Sequence, residues 1–119
     1  MINQTFVGNF YKEEKLIFYD VYGDGVIKVI FTPGHTPGHQ SVLVNLPKTG
    51  HMLFTGDACY TGDHWCDKCL PGLVSSSSDA AASVKKLRRV AKENNAKVVW
   101  GHDPVSWQDW KKAPMFYYD

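Results

Sequence analysis

Residues 32–41 read Thr32-Pro33-Gly34-His35-Thr36-Pro37-Gly38-His39-Gln40-Ser41, and this stretch decides how the remainder is read. Its two prolines lack a backbone donor and its two glycines accept turn conformations closed to other residues. The segment is therefore neither helix nor central strand but a fixed loop with His35 built into it. Upstream, residues 16–22 and 26–31 are rich in β-branched and aromatic side chains and are parted by Gly23-Asp24-Gly25, a hairpin signal. Downstream, residues 41–46 and 52–55 read as a second strand pair across the turn at 47–50, and the later strand delivers Gly56-Asp57 at its end.

Working further outward, residues 60–78 break into Gly, Pro, Cys, Trp and a run of four serines, the composition of a surface loop or lid. Ser78 or Asp79 can cap a helix reaching about Asn94, with Val84, Leu87, Val90 and Ala91 on its apolar face. Lys85, Lys86, Arg88 and Arg89 belong to its solvated side. Residues 96–100 then read as a buried strand ending at Gly101-His102-Asp103. The aromatic tail from Trp107 to Asp119 has no clear period. Three acid or imidazole stations, His35, Asp57 and His102, thus each follow an apolar run and a turn-forming glycine, which is how a scaffold holds metal ligands at one edge of a sheet.

The 119 residues suit one small domain, and 44% hydrophobic with 21% charged residues is a globular composition. A net charge of +1 gives no reason to expect nucleic acid or an anionic membrane as partner. The N-terminus shows no basic segment followed by an apolar stretch, and no run is long enough to span a bilayer, so a cytoplasmic location is expected. Three cysteines, Cys59, Cys66 and Cys69, form an odd count without a disulfide framework, which suits a reducing compartment.

The segments TPGHTPGHQS, GDACY and GHD, in that order, resemble the metallo-β-lactamase superfamily, and within it the N-acyl-homoserine lactone lactonases. The separations, 22 residues from His35 to Asp57 and 45 from Asp57 to His102, fit as well. The resemblance implies an α/β fold, half of an αββα sandwich with a mostly antiparallel sheet and one main helix. It implies up to two zinc ions, with His35 on one, Asp57 bridging both and His102 on the other. Imidazole and carboxylate suit zinc, and a bridging carboxylate keeps two cations close together at a substrate carbonyl. Tyr60 matches a tyrosine that in the lactonases points at that carbonyl, where a phenol stabilises a developing oxyanion. Asp57 and Tyr60 are accordingly the catalytic candidates, and a lactone or ester is the expected small-molecule substrate.

The family's HxHxDH pattern, source of four further ligands, is absent from the 119 residues. The chain is therefore expected to be the C-terminal half of such a fold, completed by an N-terminal half on another polypeptide or self-associated as a homo-oligomer. The alternative is a truncated, non-catalytic fragment that self-associates with no hydrolase activity left. His39 is expected to be a structural imidazole that hydrogen-bonds the loop. Cys66-Asp67-Lys68-Cys69, with His64 just before it, invites a zinc or redox reading, but a lone CxxC without a second ligand pair is a weak signal. Trp65 is expected in a lid or an interface.

Overall fold

The computed structural model describes residues 9–13, 16–69 and 72–119, with side chains from residue 18 onward. Six strands form one sheet in sequence order: β1 (Asn9–Glu13), β2 (Leu16–Asp20), β3 (Ile27–Phe31), β4 (Gln40–Leu46), β5 (Gly50–Gly56) and β6 (Lys97–Trp100). Neighbours are antiparallel up to β5, and β6 then pairs parallel to β5. The expected hairpins are present, and β1, which the sequence reading did not anticipate, adds to the β2 edge. The N-terminal segment read for a targeting signal falls largely outside the described residues.

Between β5 and β6 runs the main helix, α2 (Ser77–Glu93). A parallel pair needs such a crossover, and a helix is the usual one. Its cap is Ser76 rather than Ser78 or Asp79: the Ser76 hydroxyl accepts from the Asp79 amide at 3.2 Å. Four serines in a row offer equivalent hydroxyls, and the choice is made by Ser75, whose amide and hydroxyl are both tied to the Gly34 carbonyl. Two short helices were not foreseen: α1 (Gly62–Trp65) lies in the loop after β5, and α3 (Pro104–Asp109) follows β6 with Asp103 as its cap.

Strand register sorts the side chains. Cross-strand partners share a face, so Phe18, Ile30 and Ser41 lie together, and Leu43 with Leu53. That face meets α2, where Leu87, Val90 and Ala91 close a core with Phe18, Ile30, Leu43 and Leu53. Leu87 is fully buried, a burial that stabilises by about 1.5–3 kcal/mol. Lys85 and Arg89 face solvent as expected, but Lys86 and Arg88 are half-buried. Each finds a carbonyl, Lys86 that of Phe31 at 2.6 Å and Arg88 that of Trp65 at 2.7 Å. Arg88 also pairs with Asp67 at 2.8 Å, so α2 anchors the α1 loop.

The opposite face carries Val29, Val42, Phe54 and Val99. It is covered at one end by the tail, where Trp107, Trp110 and Tyr118 lie beside Val44, Leu46 and Met52. The backbone amides of Lys48 and Thr49 donate to the Asp119 carbonyl and the Lys48 ammonium meets its carboxylate at 2.7 Å, which pins the tail. Towards β3 the face is open: Phe31 is 42% and Phe54 40% exposed. Among the described residues no helix is long and apolar enough to cross a membrane.

Candidate functional site

β3, β5 and β6 all run in one direction, since β3 and β5 are each antiparallel to β4 and β6 is parallel to β5. Their C-terminal ends therefore share one edge of the sheet, and His35, Asp57 and His102 each follow one of those ends. The loop with His35 is drawn onto α2 by Gly34, which sits so close to the Ala80 backbone at φ +141° that a side chain has no room there. Gly101 is likewise pressed onto the Gly56 backbone, which brings the turn after β6 against the turn after β5. The amides of Gly101 and His102 then donate to the carbonyls of Cys59 and Tyr60 at 3.0 and 2.9 Å.

The result is a carboxylate between two imidazoles. His35 Nε2 lies 3.2 Å from Asp57 Oδ2, and His102 Nε2 lies 2.7 Å from Asp57 Oδ1. Tyr60 stands over both histidines, its hydroxyl 3.1 Å from His35 Nδ1 and its ring edge-on to His102 at 4.9 Å. His35 Nδ1 is also 3.0 Å from the Leu73 carbonyl. A carbonyl only accepts, so Nδ1 carries the proton and, in the neutral ring, Nε2 presents a bare lone pair to the carboxylate. Such a contact requires a proton or a cation between the two. A carbonyl-fixed Nδ1–H tautomer with Nε2 free is the form in which histidine binds a metal. Because Tyr60 Oη can accept from the same Nδ1–H, its own proton remains free to donate.

The donor types fit zinc, and the carboxylate offers one oxygen to each side. The donor count does not fill a tetrahedral site, which takes four: each imidazole meets a different oxygen, so a given ion finds one nitrogen and one oxygen. Among the described residues no three His, Cys, Asp or Glu side chains converge to hold an ion.

Behind the backbone amide of Asp57 lies a relay of polar groups that the sequence reading missed, apart from His39. Ser41 Oγ donates to the Thr55 carbonyl at 2.9 Å and must then accept from Thr32 Oγ1, also at 2.9 Å. Thr32 Oγ1 in turn accepts from His39 Nδ1 at 2.9 Å, which leaves His39 Nε2 as the acceptor of the Asp57 amide at 3.0 Å. Every proton in this chain is fixed by the carbonyl at its end. Both His39 nitrogens are thus used, and the ring is a neutral support of Asp57. Burial holds its pKa below the usual histidine range, against the opposing pull of the Thr32 carbonyl and the Asp57 charge. The legible signal was small hydroxyls at strand ends beside Pro and Gly, where an apolar residue would otherwise be expected.

His64 supports Tyr60 in the same way. It is buried, and its Nδ1 accepts the Tyr60 amide at 3.2 Å. Burial again lowers its pKa. Turned towards Tyr60, it is not grouped with Cys66 and Cys69, which are free and exposed on a turn where Asp67 adopts φ +59°. Leu70 and Pro71, which follow the CxxC, lie outside the described residues. Trp65 packs on the core and lies 6.3 Å from Trp100, so it anchors its loop rather than forming a lid.

Comparison with known proteins agrees with this geometry. The sequence model of the metallo-β-lactamase superfamily matches residues 4–102. N-acyl homoserine lactonase AttM of Rhizobium radiobacter is 57% identical over 100 residues, covering 84% of this chain and 38% of that protein. A solved N-acyl homoserine lactone hydrolase with the product N-hexanoyl-L-homoserine bound at its catalytic metal centre superposes with a TM-score of 0.74 at 31% identity, over 82% of this chain and 38% of that one. A variant of AiiA from B. thuringiensis with N-decanoyl-L-homoserine at its active site gives the same values. The chain spans less than two fifths of the length of these relatives.

Proposed function

The chain belongs to the metallo-β-lactamase superfamily, and from that premise we propose that it serves in metal-dependent hydrolysis of a lactone or ester, of the N-acyl-homoserine lactonase type. The observation that carries this reading is the His35–Asp57–His102 bridge, with His35 Nε2 3.2 Å from the carboxylate and its Nδ1 on the Leu73 carbonyl. His35, Asp57 and His102 would hold divalent ions, zinc by donor type, and such ions supply Lewis acidity to a substrate carbonyl. Asp57 fixes the spacing of the two imidazoles, and His39 holds Asp57 by its amide. Tyr60, its hydroxyl proton free, donates to the oxyanion as the carbonyl carbon becomes tetrahedral. His64 keeps Tyr60 in place.

The remaining donors are proposed to come from a complementing polypeptide or a second copy seated on the open sheet face, where Phe31 and Phe54 stand exposed. Exposed apolar patches of this kind mark interaction sites. A second reading rests on the donor count: with one imidazole and one carboxylate oxygen per ion, the chain is a self-associating fragment without activity. Lactone opening followed by proton release in the presence of zinc, manganese or cobalt separates the two. Activity that falls in His35→Ala and Asp57→Asn supports the hydrolase; a rate equal to that of both variants, with every metal, leaves the fragment.

A further inference from the structure

The CxxC of residues 66–69 takes no part in the His35–Asp57–His102 edge. Both of its thiols are free and exposed, and the backbone between them is set in a defined reversal. Cys66 closes α1, its amide donating to the Gly62 carbonyl at 3.0 Å. The amides of Asp67 and Lys68 then turn back onto the carbonyls of His64 and Asp63 at 3.1 and 2.9 Å. Asp67 takes the left-handed conformation, φ +59°, which a residue other than glycine adopts at some cost. Arg88 holds its carboxylate at 2.8 Å, so the reversal is fixed from α2. Cys66 and Cys69 flank it, and the charges of both thiolates act on Cys59, so the two sulfurs share one neighbourhood.

We propose that Cys66 and Cys69 form a reversible dithiol–disulfide site whose state is transmitted to the His35–Asp57–His102 edge. Two residues before Cys66, His64 accepts the Tyr60 amide; four residues after Cys69, the Leu73 carbonyl fixes His35 Nδ1. A disulfide has a specific geometry, so closing it fixes the backbone between Cys66 and Cys69, at the end of the helix that carries His64. The oxidant is a low-molecular-weight disulfide. One cysteine thiolate attacks a sulfur of the oxidant, which forms a mixed disulfide and releases one thiolate; the second cysteine attacks the protein sulfur of that bond and releases the other. The protein gives up two electrons and two protons, and the oxidant leaves as two thiols. Cys59 stays out of the exchange. It is buried, its thiol donates to the Thr61 carbonyl at 3.5 Å, and burial pushes its pKa up to about 12, so it supplies no competing thiolate.

The test is equilibration of the full chain with oxidised and reduced glutathione, followed by acid quenching and peptide mass mapping. At about 0.1 mM reduced glutathione, an effective thiol concentration in the millimolar range for so short a tether makes the internal disulfide outweigh the mixed one by about tenfold or more. The peptide holding Cys66 and Cys69 is expected to lose two hydrogens and to regain them with dithiothreitol, with Cys59 unmodified throughout. Cys66→Ser and Cys69→Ser are each expected to stop at the mixed disulfide. In heteronuclear NMR spectra of the parent, the Tyr60 amide and His35 ring signals are expected to move on oxidation and to return on reduction. None of these readouts needs metal or hydrolase activity. Mixed or intermolecular disulfides as the main product in the parent, a disulfide that includes Cys59, or an internal disulfide that leaves both signals in place overturns the proposal.

Discussion

Thr32→Val removes one oxygen from the middle of the relay under Asp57 and changes little else. Thr32 is fully buried, and its hydroxyl lies 2.9 Å from both His39 Nδ1 and Ser41 Oγ. Valine fills the same space, so no cavity opens and the loss is that of two hydrogen bonds. At about 0.5–1.5 kcal/mol each, the cost is about 1–3 kcal/mol. For a chain of this size about 4 °C accompanies each kcal/mol, so the melting temperature is expected to fall by about 4–12 °C. The Asp57 amide then rests on an imidazole held at Nδ1 by the Thr32 backbone carbonyl alone, at 3.2 Å, and weakening of such support typically lowers metal affinity by about 10–100-fold. Circular dichroism melts and a competitive zinc titration read the two effects, with Thr32→Ser as the control that keeps the hydroxyl. A melting temperature within about 2 °C of the parent, or an equal loss in Thr32→Ser, would refute the relay.

Acid should unfold the protein earlier than its surface charge suggests. His39, half-buried, and His64, buried, are neutral rings whose pKa values burial holds below the ordinary 6.5. Between that value and their lower folded values the unfolded chain binds more protons, so stability rises with pH through this window and is lost as pH falls below about 6.5. Urea midpoints from pH 7.5 down to 5.5 should decline, less steeply in His64→Gln; a flat profile contradicts the neutral assignments. The thiols should differ as sharply. Burial pushes Cys59 up to about 12, and the reactive form is the thiolate, so iodoacetamide at neutral pH should label the exposed Cys66 and Cys69 and spare Cys59 until denaturant is added. Peptide mass mapping reads this, and native labelling of Cys59 would contradict its burial.

The edge of the sheet was legible because its logic is periodic. Apolar runs before His35, Asp57 and His102 predict strands, and each glycine or Pro-Gly turn predicts that the next residue stands at a strand end. That the three ends coincide follows only from strand direction, which α2 settles by returning β6 parallel to β5. What remained hidden depends on contacts between distant segments. Nothing local distinguishes Ser76 from its neighbours as the α2 cap; the link from Ser75 to Gly34 does. His64 reads as a companion of the CxxC in sequence, but in space its ring turns to the Tyr60 amide. Thr32 and Ser41 look like ordinary residues at strand ends until the fold links their hydroxyls, through His39, to the backbone amide of Asp57. The short helix α3 was obscured because Pro104 and the aromatic residues after it give no helical period over six positions.

The most direct test of the account is the metal content of purified, chelator-free protein by elemental mass spectrometry, with solution mass by light scattering on the same sample. If His35, Asp57 and His102 remain a working half-site, about one divalent ion or more per chain is expected, lost in His35→Ala with the fold unchanged. An assembly of defined mass that binds no metal after incubation with zinc, or one whose metal survives His35→Ala, would contradict it.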